Sequence, residues 1–380
     1  METRIRFENA KSLIQPVADA FQITGSVSDA VPYGSGHIND TFAVTVDGRG
    51  RTVRYIFQRI NGTVFREPEK LMENIERVCR HAQLRLDRER VPEANRRALR
   101  LVATREDRWL HKDQDDNHWR VYYFIEGARS HEIVQSPYQA SEAARAFGKF
   151  QRLMSDLPGK PLHDTIPDFH NTSHRFAQLM ESTRGDPSNR VRLAREELRF
   201  AEKRAADTSV IVDLLREGKL PQRITHNDTK LNNVLIDDRS GEGVCVIDLD
   251  TVMQGSALYD FGDLVRTATN PAAEDERDLG VVCVRLEMFE ALVNGYMEGT
   301  RSELTDLEID LLPVAGKLMT LENGIRFLTD FLEGDVYYKI DRAHHNLDRC
   351  RTQFALVGAI EKEMPKLREI VKNGAAALRR

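Results

Sequence analysis

Apolar positions follow two rhythms along this chain, and the change from one to the other divides it. In the first third, TFAVTV from Thr41 and TVRYIFQ from Thr52 are rich in β-branched and aromatic residues. They flank the Gly-bearing turn Asp47-Gly48-Arg49-Gly50, which predicts a β-hairpin. Leu71, Ile75 and Val78 then recur at helical spacing, predicting a helix from Pro68 to about Leu86. Strand character returns at LRLVAT from Leu99 and WRVYYFIEG from Trp119, so a mostly antiparallel sheet with one inserted helix is expected. From about Ser141 the rhythm is helical. Ala143, Phe147, Phe150 and Leu153 mark one helix, Leu279, Val282, Leu286, Phe289 and Tyr296 a second, and Leu347, Cys350, Phe354 and Val357 a third. One β island interrupts the series, RITHNDTKLNNVLID followed by a Gly-containing turn and VCVIDLD.

The pattern predicts an α+β, bilobal architecture: a small antiparallel β-rich N-lobe over residues 1–124 and a large, mostly helical C-lobe over 125–380. The cleft between two such lobes is where a ligand is expected. Composition adds exclusions. Lys and Arg total 55 against 60 Asp and Glu, a net charge of −5, which argues against a dedicated nucleic-acid or membrane-surface binder. No signal-peptide core or membrane-length apolar run occurs. Cys79, Cys245, Cys283 and Cys350 form no CxxC pair, so buried, reduced thiols in a cytoplasmic protein are expected. No obligate protein partner is evident.

The β island carries the candidate chemistry. His226-Asn227-Asp228-Thr229-Lys230-Leu231-Asn232-Asn233 has the spacing H-x-D-x-x-x-x-N of a kinase catalytic loop, with a lysine two residues after the aspartate. Fifteen residues on, a strand from Val244 to Ile247 ends at Asp248, followed by Asp250. Phosphoryl transfer passes through a loose, highly charged transition state, so the protein positions groups and neutralises charge. Asp228 is the candidate base for the attacking hydroxyl, and Lys230 the cation beside the transferring group. Asn233 and Asp248 offer hard oxygen ligands suited to Mg²⁺ bridging nucleotide phosphates. His226 reads as a brace of the loop. Each residue alone has a plainer reading, as a capped turn or a solvated lysine; the matched spacing of the set is what points to kinase chemistry.

The N-terminal third adds weaker candidates. Ser35 and Gly36, within Gly34-Ser35-Gly36-His37-Ile38-Asn39, stand where backbone amides approach phosphates, although a simple tight turn has the same composition. Phe124 and Ile125, in Phe124-Ile125-Glu126-Gly127, are candidates to meet adenine at a hinge. A lysine is expected on the third strand of such a fold, but the stretch reads Tyr55-Ile56-Phe57-Gln58-Arg59. Gln58 is the candidate replacement, with Arg59 swinging in as the alternative.

On these motifs the chain resembles the aminoglycoside phosphotransferase and choline kinase superfamily, which has a protein-kinase-like fold. Within it, the chain is similar to N-acetylhexosamine 1-kinases over nearly its whole length. The similarity runs through PYGSGHIND, RITHNDTKLNN, VIDLDT, DFGD from Asp260, EDERDL from Glu274, IRFLTDFLEGDVYY from Ile325 and HNLDRCRTQ from His345. It implies ATP- and Mg²⁺-dependent phosphorylation of the anomeric hydroxyl of GlcNAc or GalNAc. Asp228 is then the base, Asn233 and Asp248 hold magnesium, and His37, Asp263, Arg326 and Tyr337 face the sugar. The plainer readings are a loop histidine at His37, core packing at Tyr337, and an ion pair of Arg326 with Glu322 one helical turn away. Thr267 departs from the subgroup, where an aromatic residue is expected, which bears on the identity of the sugar. The rival readings are a kinase for another sugar, an amino alcohol or an aminoglycoside, and a non-catalytic nucleotide-binding module. A protein kinase is opposed by the missing D-F-G…A-P-E segment after Asp248.

Overall fold

The computed structural model describes residues 10–34, 36, 38–48 and 50–378. Helix α1 (Ala10–Asp19) leads into β1 (Ser26–Pro32), β2 (Asp40–Gly48) and β3 (Arg51–Ile60). Helix α2 (Pro68–Arg88) follows, then β4 (His111–Lys112) and β5 (His118–Tyr123). The five strands form one antiparallel sheet in the order β1-β2-β3-β5-β4. The predicted hairpin is β2–β3, with Asp40 opposite Arg59 and Gly48 opposite Arg51.

Strand pleating sorts the two faces of this sheet. Phe42, Val44, Phe57, Trp119 and Val121 pack with Ile14, Val17 and Phe21 on the α1 side. Ile60 and Tyr122 point the other way, into a cluster with Leu71, Ile75 and Val78 of α2. That same cluster takes in Phe147 and Phe150 of α3 (Pro137–Met154) and Val246 of β9 (Gly243–Val246). One continuous apolar core therefore runs from the sheet through α2 into the helical part.

The helical part holds β6 (Ala128–Arg129), α4 (Thr172–Gly185), α5 (Arg195–Glu202), α6 (Val210–Arg216), β7 (Arg223–Thr225), β8 (Val234–Asp237), β10 (Met253–Gly255) and α7 (Ala257–Ala268). Helices α8 (Leu286–Thr300), α9 (Asp306–Glu333) and α10 (His345–Leu378) complete it. Helices α3 and α8 pack backbone to backbone. A Cβ at Gly148 would lie 2.6 Å from Tyr296 O, and one at Gly295 2.1 Å from Ser141 O, so only glycine permits this approach. Helix α9 opens on a capping box between Thr305 and Glu308 and closes at Gly334, whose φ of 101° is left-handed.

Four sequence expectations need correction. Cys79, Cys245 and Cys350 are buried, but Cys283, in the extended stretch before α8, is exposed. LRLVAT is not a strand: Leu101 bridges Tyr122 and Thr104 bridges Phe21, so the extended segment passes between two partners and builds a ladder with neither. The helix expected from Leu279 begins at Leu286. Asp278 instead caps a short 3₁₀ turn, accepting from the Gly280 amide at 3.0 Å, and Leu279 is 40% exposed. Helix α3 starts earlier than expected, at Pro137, because Ser136 caps it and proline is preorganised for the first helical position. Strand β1 escaped prediction because a bulge between Val27 and Asp29 breaks its alternation.

Candidate active site

The loop 226–233 leaves β7 and ends in a 3₁₀ turn at Leu231–Asn233 that feeds β8. Asp260, in the first turn of α7, holds the loop's entry. Its carboxylate accepts the amides of His226 (3.0 Å) and Asn227 (2.8 Å), and its carbonyl accepts the Thr229 hydroxyl at 2.5 Å. The His226 ring is wedged edge-on against Phe147 and Phe150. Its Nε2–H donates to Ile247 O (2.9 Å) while Nδ1 accepts the Asp228 amide (3.3 Å), so the ring joins the catalytic loop to the chain leading into Asp248. Behind them, buried His170 donates from Nε2 to Asn227 O (2.9 Å) and from Nδ1 to Glu322 (2.7 Å), whose second oxygen takes the Thr172 hydroxyl (2.5 Å). Two acceptor partners are both satisfied when each ring nitrogen carries a proton, which favours the imidazolium form of His170. Burial opposes that charge, but the Glu322 carboxylate outweighs it and holds the His170 pKa above the ordinary value.

Asp228 stands at the centre. Lys230 Nζ lies 2.8 Å from Asp228 Oδ1, and Asn233 Nδ2 donates to Asp228 Oδ2 (3.0 Å) and to its carbonyl (2.8 Å). Burial pushes the Asp228 carboxyl up, but the charge and hydrogen bond of Lys230, with the charge of Arg266, hold it below the usual carboxylate range. An ionised, partly exposed carboxylate is what a proton acceptor for a hydroxyl requires. Asp248 is the contrast: burial, reinforced by the neighbouring Asp250 and Asp228 carboxylates, pushes it up to about 7. A carboxyl in that setting is completed by a cation. Among the described residues no three His, Cys, Asp or Glu side chains are arranged to hold a metal by themselves. A magnesium ion does not need them, since it takes one or two protein oxygens and keeps waters or phosphates. With its amide nitrogen committed to Asp228, Asn233 offers Oδ1 for that purpose. The donor set of Asn233 and Asp248 fits magnesium.

The sheet forms the opposite wall. Gln58 and Arg59 lie on opposite faces of β3, so Arg59 does not swing in. It pairs with Asp40, its register partner on β2. Gln58 is engaged at both ends, donating to Thr41 Oγ1 (3.0 Å) and accepting from Arg120 Nε (3.0 Å). Gly34 is left-handed at φ 79°, while a Cβ at Gly36 would meet open space. Ser35 and His37 lie outside the described residues. At the crossing between the halves, Phe124 packs edge-on against Tyr33 and beneath the Arg54 guanidinium. Buried Ile125 joins an apolar cluster with Leu235, Val244 and Cys245, and makes no hydrogen bond among the described residues. A backbone left unpaired at a buried position is a ready partner for a planar heterocycle's edge.

The third wall comes from α7, α9 and the loop after α9. Asp263 is buried and accepts from Arg266 Nε at 2.8 Å; Arg266 also reaches Glu274 at 3.2 Å. The Thr267 hydroxyl is spent on the helix itself, donating to Asp263 O (2.9 Å). Arg326 does not pair with Glu322, whose oxygens serve His170 and Thr172. Its half-buried guanidinium lies 5.2 Å from the Phe169 ring centroid and 5.8 Å from that of Tyr338. No ion pair of Arg326 occurs among the described residues. Tyr337 is not core: it is 59% exposed, on a loop whose amides at Val336, Tyr337 and Tyr338 all bind the Asp330 carboxylate. Asp260, His170, Asp250 and Arg120 had no assigned role in the sequence reading. Each acts on a residue far away in sequence, and only the Asp260 position, in a helix's first turn, left a local trace.

The family model described as phosphotransferase enzyme family matches residues 29–287. Among solved structures, an aminoglycoside phosphotransferase from Alicyclobacillus acidocaldarius superposes with a TM-score of 0.60 at 14% identity, covering 98% of each chain. A choline kinase from Cryptosporidium parvum gives 0.56 at 15% identity, covering 93% of this chain and 96% of its own. The GDP complex of aminoglycoside 2'-phosphotransferase-IIIa gives 0.56 at 16%, covering 92% and 99%. The protein-kinase-like α+β fold, an N-terminal antiparallel sheet followed by a mostly helical part, is common to them. No helix among the described residues is long and apolar enough to cross a membrane.

Proposed function

The chain belongs to the phosphotransferase enzyme family, and from that premise we propose that it is an ATP- and Mg²⁺-dependent kinase for the anomeric hydroxyl of N-acetylhexosamines, GlcNAc or GalNAc. The observation that carries the kinase chemistry is Asp228, held ionised by Lys230 and oriented by Asn233. The acceptor oxygen attacks the γ-phosphorus, its proton passes to Asp228, and the bond to the β-phosphate oxygen breaks to release ADP. Lys230 stands beside the charge that develops. Magnesium held by Asn233 and Asp248 would neutralise the phosphate oxygens. Gln58, Ser35, Gly36, Phe124 and Ile125 line the nucleotide side in this reading.

The acceptor assignment draws on the sequence similarity and on the chemistry of the third wall. His37, Asp263, Arg326 and Tyr337 would meet the sugar. A half-buried guanidinium without an ion pair suits an acceptor rich in hydroxyl and carbonyl oxygens. It repels a cation such as choline or an aminoglycoside, the acceptors for which the structural relatives are named. NMR of the product from ATP, Mg²⁺ and a panel of free sugars tests the reading. The expected product is a sugar 1-phosphate that no longer reduces copper, with methyl glycosides untouched and activity silenced by EDTA. A phosphorylated sugar that still reduces copper places the phosphate elsewhere and overturns the 1-kinase assignment.

A further inference from the structure

The third strand lacks its lysine, yet the cleft is not short of a cation on that side. Thr41, Gln58 and Arg120 occupy one cross-strand row over β2, β3 and β5, Thr41 opposite Gln58 and Gln58 opposite Arg120. Hydrogen bonds run along the row, from Gln58 Nε2 to Thr41 and from Arg120 Nε to Gln58 Oε1, both at 3.0 Å. The row ends in a buried ion pair that joins the sheet to the turn after β9, Arg120 Nη1 to Asp250 Oδ1 at 2.5 Å. Arg120 has 0% exposure, so no nucleotide phosphate reaches it without a rearrangement of the sheet.

Asp250 lies in the 3₁₀ turn Leu249–Thr251 directly after Asp248, whose own φ of 59° is left-handed. Its second oxygen accepts from Asn39 Nδ2 at 2.6 Å, and Asn39 Oδ1 takes the Asn61 amide at 3.0 Å, so the β1–β2 loop is tied to the same carboxylate. Its carbonyl accepts the Thr165 hydroxyl at 2.9 Å, from the helical part.

We infer that Arg120 takes the place of the absent strand lysine as a positioning residue, acting through Asp250 on the turn that presents Asp248 instead of touching the nucleotide. Gln58 then supports Arg120 and need not meet phosphate. A neutral glutamine on β3 fits because the charge has moved one strand along the same row. Both the metal-facing turn and the phosphate-facing loop are referenced to one point of the sheet. The inference rests on the nucleotide site proposed above and not on the identity of the acceptor.

Removing Arg120 alone would strand a buried carboxylate and threaten the fold, so the decisive variant is Arg120→Gln combined with Asp250→Asn, which neutralises both sides. Calorimetric titration of the full chain with Mg²⁺-ADP is expected to show binding weakened at least about tenfold, the scale of one charge-assisted contact. The KM for ATP should rise alongside, while the acceptor KM stays within about twofold and the melting temperature near wild type. Arg120→Lys, which keeps the charge on Asp250, should recover most of the Mg²⁺-ADP affinity. Wild-type nucleotide affinity in the neutral double variant would overturn the inference and leave the pair a matter of packing. Equal losses in both substrates' KM would overturn it as well. A wild-type chain that binds no Mg²⁺-ADP would sink the nucleotide site itself, and the inference with it.

Discussion

The wall around Asp228 and the wall around Arg326 are built on opposite plans. In the first, nearly every polar group is committed. Asp260 takes two loop amides and a hydroxyl, His226 bridges to Ile247, and the buried His170–Glu322 pair holds the Asn227 carbonyl. In the second, Arg326 lies beside the Phe169 and Tyr338 rings without an ion pair among the described residues, and the Tyr337 side chain is exposed with no hydrogen bond of its hydroxyl among them, although its loop is pinned through Asp330, Asp335 and Tyr338. On the proposed function, the contrast follows from what each wall would have to do. A transition state whose charge builds at fixed points is served by groups that do not reorganise. An acceptor can be met by side chains that settle once it arrives, because hydroxyls offer several equivalent hydrogen bonds.

The sharpest way to break this comparison is at its centre. Asp228→Asn keeps the size of the side chain but removes the proton acceptor, and kcat is expected to fall at least about a hundredfold. Mg²⁺-ADP affinity, read by calorimetry, should persist. Turnover near the wild-type rate would remove Asp228 from its role and with it the reason for the rigid wall.

The brace behind the loop gives the next largest effect, on stability. His170→Gln leaves the buried Glu322 carboxylate without its cation, a loss on the order of 3–5 kcal/mol for a broken buried pair. The sign of the pH dependence follows from the raised pKa of His170. The imidazolium's contribution is fully present below the unfolded value of about 6.5 and fades as pH rises through the higher folded value. The gap in melting temperature between wild type and variant should therefore be widest near pH 6 and narrow as pH rises above the ordinary histidine value of about 6.5. A gap that widens with pH would show that His170 is neutral in the folded protein.

The two walls also differ in how far their residues can be read from the chain. His226, Asp228, Lys230 and Asn233 fall within eight consecutive residues, because one loop must present them together, and that spacing is visible without a structure. Three helices of the large half, α3, α8 and α10, were visible for a similar reason, since a buried helical face repeats along a single element, whereas α4, α5, α6, α7 and α9 were not singled out. Arg120 illustrates the reverse. It reads as one charge in an apolar strand, and its partners Gln58 and Asp250 are 62 and 130 positions away. Strand register makes Gln58 its neighbour, and packing of the Leu249–Thr251 turn against the sheet makes Asp250 one. Arg59 looked as suitable as Gln58 until the pleat put it on the far face. Helix α8 was drawn too long because apolar residues in a 3₁₀ turn and an extended stretch happened to keep helical spacing.

The smallest expected effects belong to the looser wall, and they test whether looseness reflects acceptor choice or absence from the site. If Arg326 donates charge-assisted hydrogen bonds to acceptor oxygens, Arg326→Ala should lower kcat/KM for the sugar by about tenfold to a hundredfold, corresponding to roughly 1.5–3 kcal/mol. Tyr337→Phe removes a single hydroxyl from an exposed side chain, so a drop of only about two- to tenfold is expected. In both variants the KM for ATP should remain within about twofold of wild type, because the proposed contacts of both residues are to the acceptor alone. The melting temperature should barely move for Tyr337→Phe, whose hydroxyl makes no hydrogen bond among the described residues, the loop being held through the Asp330 carboxylate. Parallel losses for both substrates would mean that Arg326 supports the catalytic loop through its neighbours. Unchanged sugar kinetics in both variants would place the acceptor against a different wall, and the comparison would then set a working surface against an idle one.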